Sequence, residues 1–324
     1  MFQNEIFSMN SSHDFVRVAM EVFRYQYEHV QVYRKFCDLL KCNPKNVETV
    51  EQIPFLPIQF FKSQSIIANR MEPEITFTSS GTTGMVTSKH LVASAKTYEK
   101  SFTKGFQRKY GSPADYAILA LLPSYLERAG SSLIYMVEKL IANSNNPDSG
   151  FYLYDMDSLV KKIDLLEQKG QKTLLIGVSY ALLDLLEKKK FNLRNTIVME
   201  TGGMKGKRKE MIKKELHGIL KKGFGVSKIH SEYGMTELLS QAYSKGDGVY
   251  SCPPWMKILI RDPEDVQTFF TTKTGGINVI DLANFYSCAF IATQDLGKVN
   301  KDGTFEIMGR FDDSDIRGCN LMVL

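Results

Sequence analysis

The sequence has few of the features that mark a specialised class of protein. Its five cysteines are an odd number, lie far apart and form no C-x-x-C pair, which argues against a disulfide scaffold and a structural zinc site. No apolar run approaches the roughly 20 residues that a membrane-spanning helix needs. The N-terminal segment lacks the basic and apolar regions of a signal peptide. We therefore expect a reduced, cytoplasmic protein with no membrane span.

The sequence also has no strong excess of one charge. Its 41 basic and 36 acidic side chains give a net charge of +5, and both signs are spread along the chain. The one dense basic run, residues 205–222, alternates with apolar residues at helical spacing. Because a nucleic-acid-binding protein usually concentrates its positive charge in one stripe, we interpret this run as a solvated helix face and expect no nucleic-acid partner.

Apolar residues are plentiful enough for a large core, at 43% of the 324 residues. Short buried-type strands alternate with amphipathic helices, a rhythm typical of an α/β fold with much of its sheet parallel. A smaller antiparallel sheet is predicted over 256–260, 276–281, 290–293 and 303–308. The other predicted strands are 117–122, 173–177 and 196–200, and the predicted helices are 12–40, 157–169, 180–189 and 205–221.

Hydroxyl groups and glycines are concentrated in the segment from Thr76 to Gly84, which is followed by Lys89. Glycines let a backbone turn back and expose N–H groups, the hydroxyls add short donors, and the lysine adds charge, so this segment could cradle a phosphate. It is not a Walker A loop, because G-x-x-x-x-G-K-[ST] is absent. Taken alone, the segment would also suit a polar surface turn.

A second polar segment, residues 231–237, has the sequence Ser-Glu-Tyr-Gly-Met-Thr-Glu. The ring of Tyr233 could stack on a nucleotide base, and the carboxylate of Glu237 could bind a hard cation such as Mg²⁺. The alternative is a loop that leads into a helix capped by Thr236.

The third polar segment lies near the C-terminus, at residues 292–297 and 302–313. Asp295 follows a predicted strand and could accept hydrogen bonds from ribose hydroxyls, and Arg310 could reach a phosphate or a ribose. On these residues alone, an ordinary hairpin with a charged turn is also a sufficient explanation.

In this order the three segments resemble the motifs of the adenylate-forming superfamily, which includes acyl-CoA synthetases, nonribosomal adenylation domains and firefly-type luciferases. The resemblance covers roughly residues 50–320. It implies an α/β fold, the N-terminal domain of an adenylate-forming enzyme, with mixed, largely parallel sheets, helices and a small antiparallel sheet. It also implies an ATP site formed by Ser79, Ser80, Gly81, Thr82, Thr83, Gly84, Gly202, Gly203, Glu232, Tyr233, Gly234, Thr236, Glu237, Asp295 and Arg310.

The resemblance narrows to the LuxE-like acyl-protein synthetases on residues 53–62, residues 121–136 and the tail around Cys319. Members of that branch activate a fatty acid with ATP and Mg²⁺ as its acyl-AMP, take the acyl group onto a cysteine near the C-terminus and pass it to an acyl reductase. The resemblance therefore implies a ligase with a reductase-like or carrier protein as acceptor. It implies one domain over 1–308, helical at 1–50, and a hinge-like tail at 309–324 in place of the usual C-terminal domain.

The expected absence of that C-terminal domain also removes the lysine that it brings to adenylation. The candidate replacements are Lys62, Lys89, Arg128 and Arg310. Of these, Lys89 lies further from Gly84 than the superfamily's spacing. The predicted catalytic residues are Cys319, Lys89 and Arg310, with Glu237 as the metal ligand. Residues 121–140 and 174–180 would line the acyl side or fill an ordinary core, and the residues expected to contact the acid are Tyr125, Arg128, Gly177 and Ser179.

Two other functions stay open. The chain could be a non-enzymatic subunit that binds a nucleotide or an acyl-adenylate. It could also be a serine hydrolase, because residues 177–179 (Gly-Val-Ser) follow a predicted strand and nearly match the G-x-S-x-G nucleophile elbow, with His217 or His230 as the base. We interpret His90, His230 and the four cysteines other than Cys319 as structural.

Overall fold

The computed structural model describes residues 2–79, 87–123, 130–153, 155–204, 207–209, 211–263, 265, 268–271 and 273–310. Within that part of the chain the α-helices are α1 (Phe2–Ile6), α2 (Ser12–His29), α3 (Gln31–Leu39), α4 (Phe60–Ser63), α5 (Ala95–Tyr110), α6 (Ser132–Ser144), α7 (Met156–Gln168), α8 (Ser179–Lys188) and α9 (Lys213–Phe224). Short 3-10 helices span Val50–Gln52, Pro113–Asp115 and Leu282–Asn284.

The β-strands of the described residues are β1 (Leu56–Pro57), β2 (Ile75–Thr78), β3 (Lys89–Val92), β4 (Ala117–Leu121), β5 (Gly150–Phe151), β6 (Thr173–Val178), β7 (Thr196–Thr201), β8 (His230–Tyr233), β9 (Ala242–Ser244), β10 (Val249–Ser251), β11 (Met256–Arg261), β12 (Phe269–Phe270), β13 (Gly275–Asp281), β14 (Phe290–Val299) and β15 (Phe305–Arg310). Two compact units contain these elements. The first unit holds the residues up to 101, residues 236–240 and those from 251 onward, and the second holds 102–235 and 241–250.

The second unit is built on a mostly parallel sheet with the strand order β5-β4-β6-β7-β8-β9-β10. The strands from β5 to β8 pair in parallel, and β9 is antiparallel to β8. Every residue of β4 and β6 is buried, as expected for parallel strands that are covered on both faces. The strands predicted over 117–122, 173–177 and 196–200 are confirmed as β4, β6 and β7.

The first unit contains an antiparallel sheet in the order β12-β11-β13-β14-β15, with β1 parallel to β14, and a separate ribbon of β2 and β3. The turn between β14 and β15 closes on Asp302, whose carboxylate accepts a hydrogen bond from the Thr304 amide at 3.0 Å. Gly303 follows at a φ of +81°, in the left-handed region that favours glycine. The antiparallel sheet predicted near the C-terminus is confirmed, with its last strand at 305–310 rather than 303–308.

The single helix predicted over 12–40 is wrong, because the chain breaks it at Val30 into α2 and α3. Val30 is extended, with φ −103° and ψ 97°. The break lets both helices pack on one ring: Phe23 of α2 and Tyr33 of α3 lie with their ring centroids 6.4 and 6.1 Å from that of Phe290. Tertiary packing therefore overrides an apolar repeat that runs through the break.

Two further helix predictions need correction. The helix predicted over 205–221 is α9, which starts later, because Arg208 forms ion pairs with Asp184 and Glu187 and Ile212 is extended. The helix capped by Thr236, which was the alternative interpretation of residues 231–237, is absent, and residues 236–240 form an irregular loop.

The helices predicted over 157–169 and 180–189 are confirmed as α7 and α8. The start of α8 packs tightly on the strand before it, since a Cβ atom on Gly177 would lie 2.8 Å from Leu182 Cδ2 and 3.3 Å from the Leu121 carbonyl oxygen. The glycine predicted to contact the acid therefore has a packing role. Among the described helices, none is both long and apolar enough to cross a bilayer.

Candidate active site

The first unit contains Glu237, the predicted metal ligand. This residue is only 6% exposed, and its carboxylate lies near the Ser88 side chain. Burial raises the pKa of Glu237, while the hydrogen bond from Ser88 and the charges of Arg310 and Lys62 oppose the rise. Glu237 is thus a buried carboxylate on which two cations act.

We call residues 79–88, which connect β2 to β3 and contain the hydroxyl groups and glycines, the hydroxyl-glycine loop. The β2–β3 ribbon fixes both of its ends. The Ser79 amide donates to the Ser88 carbonyl oxygen at 3.1 Å, and the Ser88 amide donates to Ser79 Oγ at 2.8 Å. Lys89 is exposed and lies between buried Ser88 and buried His90, so its side chain leaves the opposite face of β3. Ser88, rather than Lys89, is therefore on the buried face of this part of the chain, near Glu237.

Asp295 and Arg310 face each other on neighbouring strands of the first unit. Asp295 lies within β14 rather than after a strand, which corrects the prediction. Arg310 Nε is 3.2 Å from Asp295 Oδ1, and the two side chains are 67% and 7% exposed. An ion pair with one exposed partner is worth about 1 kcal/mol or less, so it costs little to open.

Two buried side chains hold the backbone on either side of the Glu237 side chain. His90 Nδ1 is 2.8 Å from the Thr236 carbonyl oxygen and donates to it, because a carbonyl can only accept. Asn284 Nδ2 donates to the Glu237 carbonyl oxygen at 2.9 Å. Burial lowers the pKa of His90 to about 4, which keeps the ring neutral near pH 7. The prediction that His90 has a structural partner is confirmed.

The second unit buries a charged cluster at the end of β7. Lys213 Nζ lies 2.8 Å from Glu200 Oε1, and His217 Nε2 lies 3.4 Å from the same oxygen. The Ser179 hydroxyl donates to Glu200 Oε2 and to the Gly202 carbonyl oxygen, each at 3.3 Å. Burial alone would raise the pKa of Glu200, but the charge of Lys213 and the hydrogen bonds lower it to about 2. Glu200 is therefore ionised.

This cluster does not have the order of a hydrolase triad. In a triad the base accepts a hydrogen bond from the nucleophile and the acid orients the base. Here Ser179 and His217 both contact the carboxylate of Glu200. His230 instead lies 3.2 Å from the Tyr110 hydroxyl, and burial lowers its pKa to about 4. The geometry gives the serine hydrolase alternative no support.

Glu232 lies on the buried side of the Tyr-Gly turn, residues 233–234, and supports it. The Thr201 hydroxyl donates to Glu232 Oε2 at 2.5 Å, and a Cβ atom on Gly234 would lie 2.5 Å from Glu232 Oε1. Burial raises the pKa of Glu232 to about 7. Tyr233 is 7% exposed and contacts Tyr250 edge-on, with ring centroids 6.1 Å apart. The carboxyl predicted to bind the nucleotide therefore faces inward and supports the turn.

Gly202 and Gly203, the predicted adenine-side pair, come directly after β7. Gly202 has a φ of +65°, and a Cβ atom on Gly203 would meet nothing within 4 Å among the described residues. The remaining predicted site residues lie outside the described residues: Ser80, Gly81, Thr82, Thr83, Gly84, Tyr125, Arg128 and Cys319.

Three of the other four cysteines have the properties of structural residues. Cys37 and Cys288 are buried and Cys252 is half-buried. Burial raises the pKa of all three thiols, to about 12 for Cys37. A thiol with a raised pKa is a poor nucleophile near neutral pH.

The segments predicted for the acyl side contain an apolar cavity of about 10 Å³ in the second unit. A space of this size holds about one water molecule, so an alkyl chain could enter only if the surrounding side chains moved. The cavity lies among residues of α6, β4, β6 and β7, including Ile118, Met136, Leu140, Ile176 and Met199.

Comparison with known proteins identifies the family. A family model described as "Acyl-protein synthetase, LuxE" matches residues 8–324. The chain belongs to the LuxE family of acyl-protein synthetases. The long-chain-fatty-acid–luciferin-component ligase of Vibrio harveyi is 23% identical over 331 residues, which cover 94% of this LuxE-family chain and 86% of the relative.

Solved structures show that this LuxE-family chain has the fold of adenylate-forming ligases. A 2-hydroxyisobutyryl-CoA ligase, solved with 2-HIB-AMP and CoA, superposes with a TM-score of 0.69 at 13% identity, over 93% of this chain and 70% of that chain. ATP-bound MatB from Rhodopseudomonas palustris has a TM-score of 0.55 at 18% identity, over 72% of this chain and 47% of that one. The predicted fold class is confirmed.

Several residues around the predicted sites were missed at the sequence level. Ser88, Asn284 and Glu200 lie against predicted site residues or their backbone, and Lys213 pairs with Glu200, yet none belongs to a recognisable motif. Of these four residues, only Ser88 could have been found from the sequence, because it lies next to the hydroxyl-rich segment, directly before Lys89.

Proposed function

We propose that this LuxE-family chain activates a carboxylic acid with ATP and transfers the acyl group to a thiol. In the first step a carboxylate oxygen attacks the α-phosphorus of ATP. A bond forms between that oxygen and phosphorus, the bond from phosphorus to pyrophosphate breaks, and acyl-AMP and pyrophosphate result. The protein's part in such a step is to position the reactants and to neutralise charge. The name of the Vibrio harveyi relative supports a long-chain fatty acid as the substrate.

The observation that carries this proposal is the position of Glu237: its buried carboxylate lies near Ser88, whose amide is fixed at the end of the hydroxyl-glycine loop. Lys62 and Arg310 act on the same carboxylate. A loop that cradles phosphates beside a carboxylate and two cations suits a triphosphate. Arg310 can exchange its exposed ion pair for a phosphate at small cost, which would leave Asp295 to bind the ribose hydroxyls.

The donor set around Glu237 fits Mg²⁺. In proteins Mg²⁺ is commonly held by one or two carboxylates together with water and substrate phosphates. Among the described residues, no group of three His, Cys, Asp or Glu side chains could hold a metal ion by itself. Bound at Glu237, Mg²⁺ would offset the negative charge of the phosphates.

For the second step we assign the nucleophile to Cys319, within the sequence Arg317-Gly318-Cys319. Its thiolate attacks the acyl carbonyl, a carbon–sulfur bond forms, and the bond from the carbonyl carbon to AMP breaks. Arg317 would favour the thiolate, and Gly318 would let the backbone turn. A reductase-like or carrier protein would then accept the acyl group.

Intact mass measurement after incubation with ATP, Mg²⁺ and C8 to C18 fatty acids tests both steps, together with pyrophosphate exchange. We expect an ATP-dependent acyl adduct that hydroxylamine removes and that maps to Cys319. Glu237→Gln should lower pyrophosphate exchange by about 100-fold, as expected for the loss of one group that stabilises transition-state charge. The control is Glu48→Gln, at an exposed carboxylate of the same unit, which should leave exchange unchanged.

Each other outcome has its own meaning. Acyl-AMP released without an adduct would keep the ligase and move the acceptor to another molecule. Nucleotide binding without any exchange would favour the non-enzymatic subunit. A Cys319→Ser variant that still forms the adduct would remove Cys319 from the second step.

A further inference from the structure

The loop of residues 236–240 has no helix or strand of its own, yet side chains bind its backbone groups in turn. His90 and Asn284 fix the carbonyl oxygens of Thr236 and Glu237, at 2.8 and 2.9 Å. These are the two carbonyl groups on either side of the Glu237 side chain. The position of that side chain is therefore set by contacts with other elements rather than by local secondary structure.

Asp281 fixes the far end of the same loop. Its Oδ2 accepts hydrogen bonds from the amides of Leu239 and Ser240 at 2.7 and 2.9 Å, and its Oδ1 accepts one from the Ser240 hydroxyl at 2.5 Å. Trp255 Nε1 also donates to that hydroxyl, at 3.0 Å. We call His90, Asn284, Asp281 and Trp255 the loop clamp.

The side chains of the loop clamp are themselves held. His90 and Asp281 are 0% exposed, and Asn284 is 1% exposed. Asn284 Nδ2 also donates to the Cys288 carbonyl oxygen at 2.8 Å, and Asn284 Oδ1 lies 3.0 Å from His90 Nε2. The ring of Phe61 packs edge-on against that of His90, with centroids 5.6 Å apart. The loop therefore rests on a surface that has little freedom to move.

The start of β3 approaches Glu237 at two points. Ser88 and His90 are two residues apart at β3, so their side chains leave the same face. The Ser88 side chain lies near the Glu237 carboxylate, and His90 binds the carbonyl group directly before Glu237. We propose that His90 and Asn284 are positioning residues for acyl-AMP formation, because they fix the backbone on both sides of the Glu237 side chain.

This inference rests on the proposed function, and it adds a kinetic signature to it. A positioning residue touches neither ATP nor the acid, so its loss affects turnover more than substrate binding. A displacement of about 1 Å at a catalytic group can cost about 100-fold in rate. If Glu237 is displaced, kcat should fall and the Mg²⁺ concentration needed for half-maximal rate should rise, with KM for ATP nearly constant.

Kinetics of pyrophosphate exchange on the full chain test the inference. His90→Phe removes the hydrogen bond from the ring to the Thr236 carbonyl oxygen and keeps an aromatic side chain in the core, and we expect kcat to fall by about 30-fold with KM for ATP changed by less than about threefold. His90→Asn keeps a donor near the position of Nδ1 and should recover most of the loss. Asn284→Asp keeps the size of the side chain and removes its two donors, so it should behave like His90→Phe.

The matched control is Tyr33→Phe, which removes a buried hydrogen bond to the Pro54 carbonyl oxygen, 2.7 Å long, in the same unit. It should lower Tm and leave kcat within about twofold of wild type. The inference is overturned if His90→Phe and Asn284→Asp keep wild-type kcat. It is also overturned if Tyr33→Phe loses as much kcat per degree of Tm lost as these two variants do. A wild-type chain without exchange would instead refute the proposed function, before any variant is made.

Discussion

The two units each bury a carboxylate, and they compensate its burial in different ways. In the second unit Glu200 is ionised next to Lys213, and their contact joins β7 to α9. In the first unit Asp281 is bound by backbone amides and a hydroxyl of the 236–240 loop, and burial raises its pKa to about 6. The first arrangement depends on a paired charge, and the second on donors that belong to a loop. Buried charge therefore supports the fold in one unit and the shape of a loop in the other.

This difference predicts which variants lose stability and which lose activity. Removal of one partner of a buried ion pair leaves an uncompensated charge in the interior, which destabilises the whole unit. Removal of a hydrogen bond in the loop clamp costs less, because only polar groups near the loop are left unsatisfied. The largest effects on unfolding should thus come from the second unit.

The removal of Lys213 is the strongest test of this difference between the two units. We expect Lys213→Met to lower the free energy of unfolding by roughly 3–5 kcal/mol, because Glu200 is then buried without its cation. Urea unfolding measures this loss, and Lys214→Met, at an exposed neighbour, should stay within about 0.5 kcal/mol of wild type. A double variant with Glu200→Met should regain part of the lost stability; an equal loss in both lysine variants would contradict the assignment.

A second test of the comparison uses the pH dependence of folding stability. It concerns Glu232, another buried carboxyl group of the second unit. Burial raises the pKa of Glu232 to about 7 from an ordinary value of 4.5, so the folded state holds this proton more tightly than the unfolded state. The stabilisation is present in full below pH 4.5 and is lost as pH rises through 7. It is worth up to about 3 kcal/mol. Glu232→Gln stays neutral and should flatten stability between pH 5 and 8, measured by urea unfolding; an unchanged slope would mean that Glu232 is already ionised at pH 5.

The smallest expected effect comes from an ion pair near the surface of the same unit. Lys189 Nζ donates to both oxygens of Asp164 at 2.6 and 2.5 Å, but the two side chains are 40% and 39% exposed. Water and salt screen such a pair, so Lys189→Met should cost less than about 1 kcal/mol. A comparison of the Tm of this variant with that of Lys213→Met would separate the effect of burial on stability from the effect of contact distance. A similar loss of Tm in both variants would show that contact distance, rather than burial, sets the cost.

Much of the fold could be predicted, for a physical reason that differs between elements. Strands β4 and β6 are continuous apolar runs, as parallel strands covered on both faces must be, and α7 has a clear helical repeat. The break at Val30 could not be predicted, because the apolar repeat continues through it. Only the packing of both helices on Phe290 accounts for the break.

The candidate site divides in the same way. The positions of Tyr233, Glu237 and Asp295 followed from motif resemblance and from the chemistry of their side chains. Their partners did not follow, because contact pairs such as Asn284 and Glu237 are 47 positions apart and no local pattern links them. Sequence patterns of this kind identify candidate site residues more readily than the residues that hold them in place.

The long-range contacts of the 236–240 loop also have a consequence for the order of folding. His90 and Thr236 are separated by 146 positions, and Asp281 lies more than 40 positions after Ser240. Contacts across such distances form late, because each closes a long stretch of chain at a cost in entropy. During synthesis His90 emerges before this loop, whereas Asp281 and Asn284 emerge after it. It can reach its final shape only after residue 284 has left the ribosome.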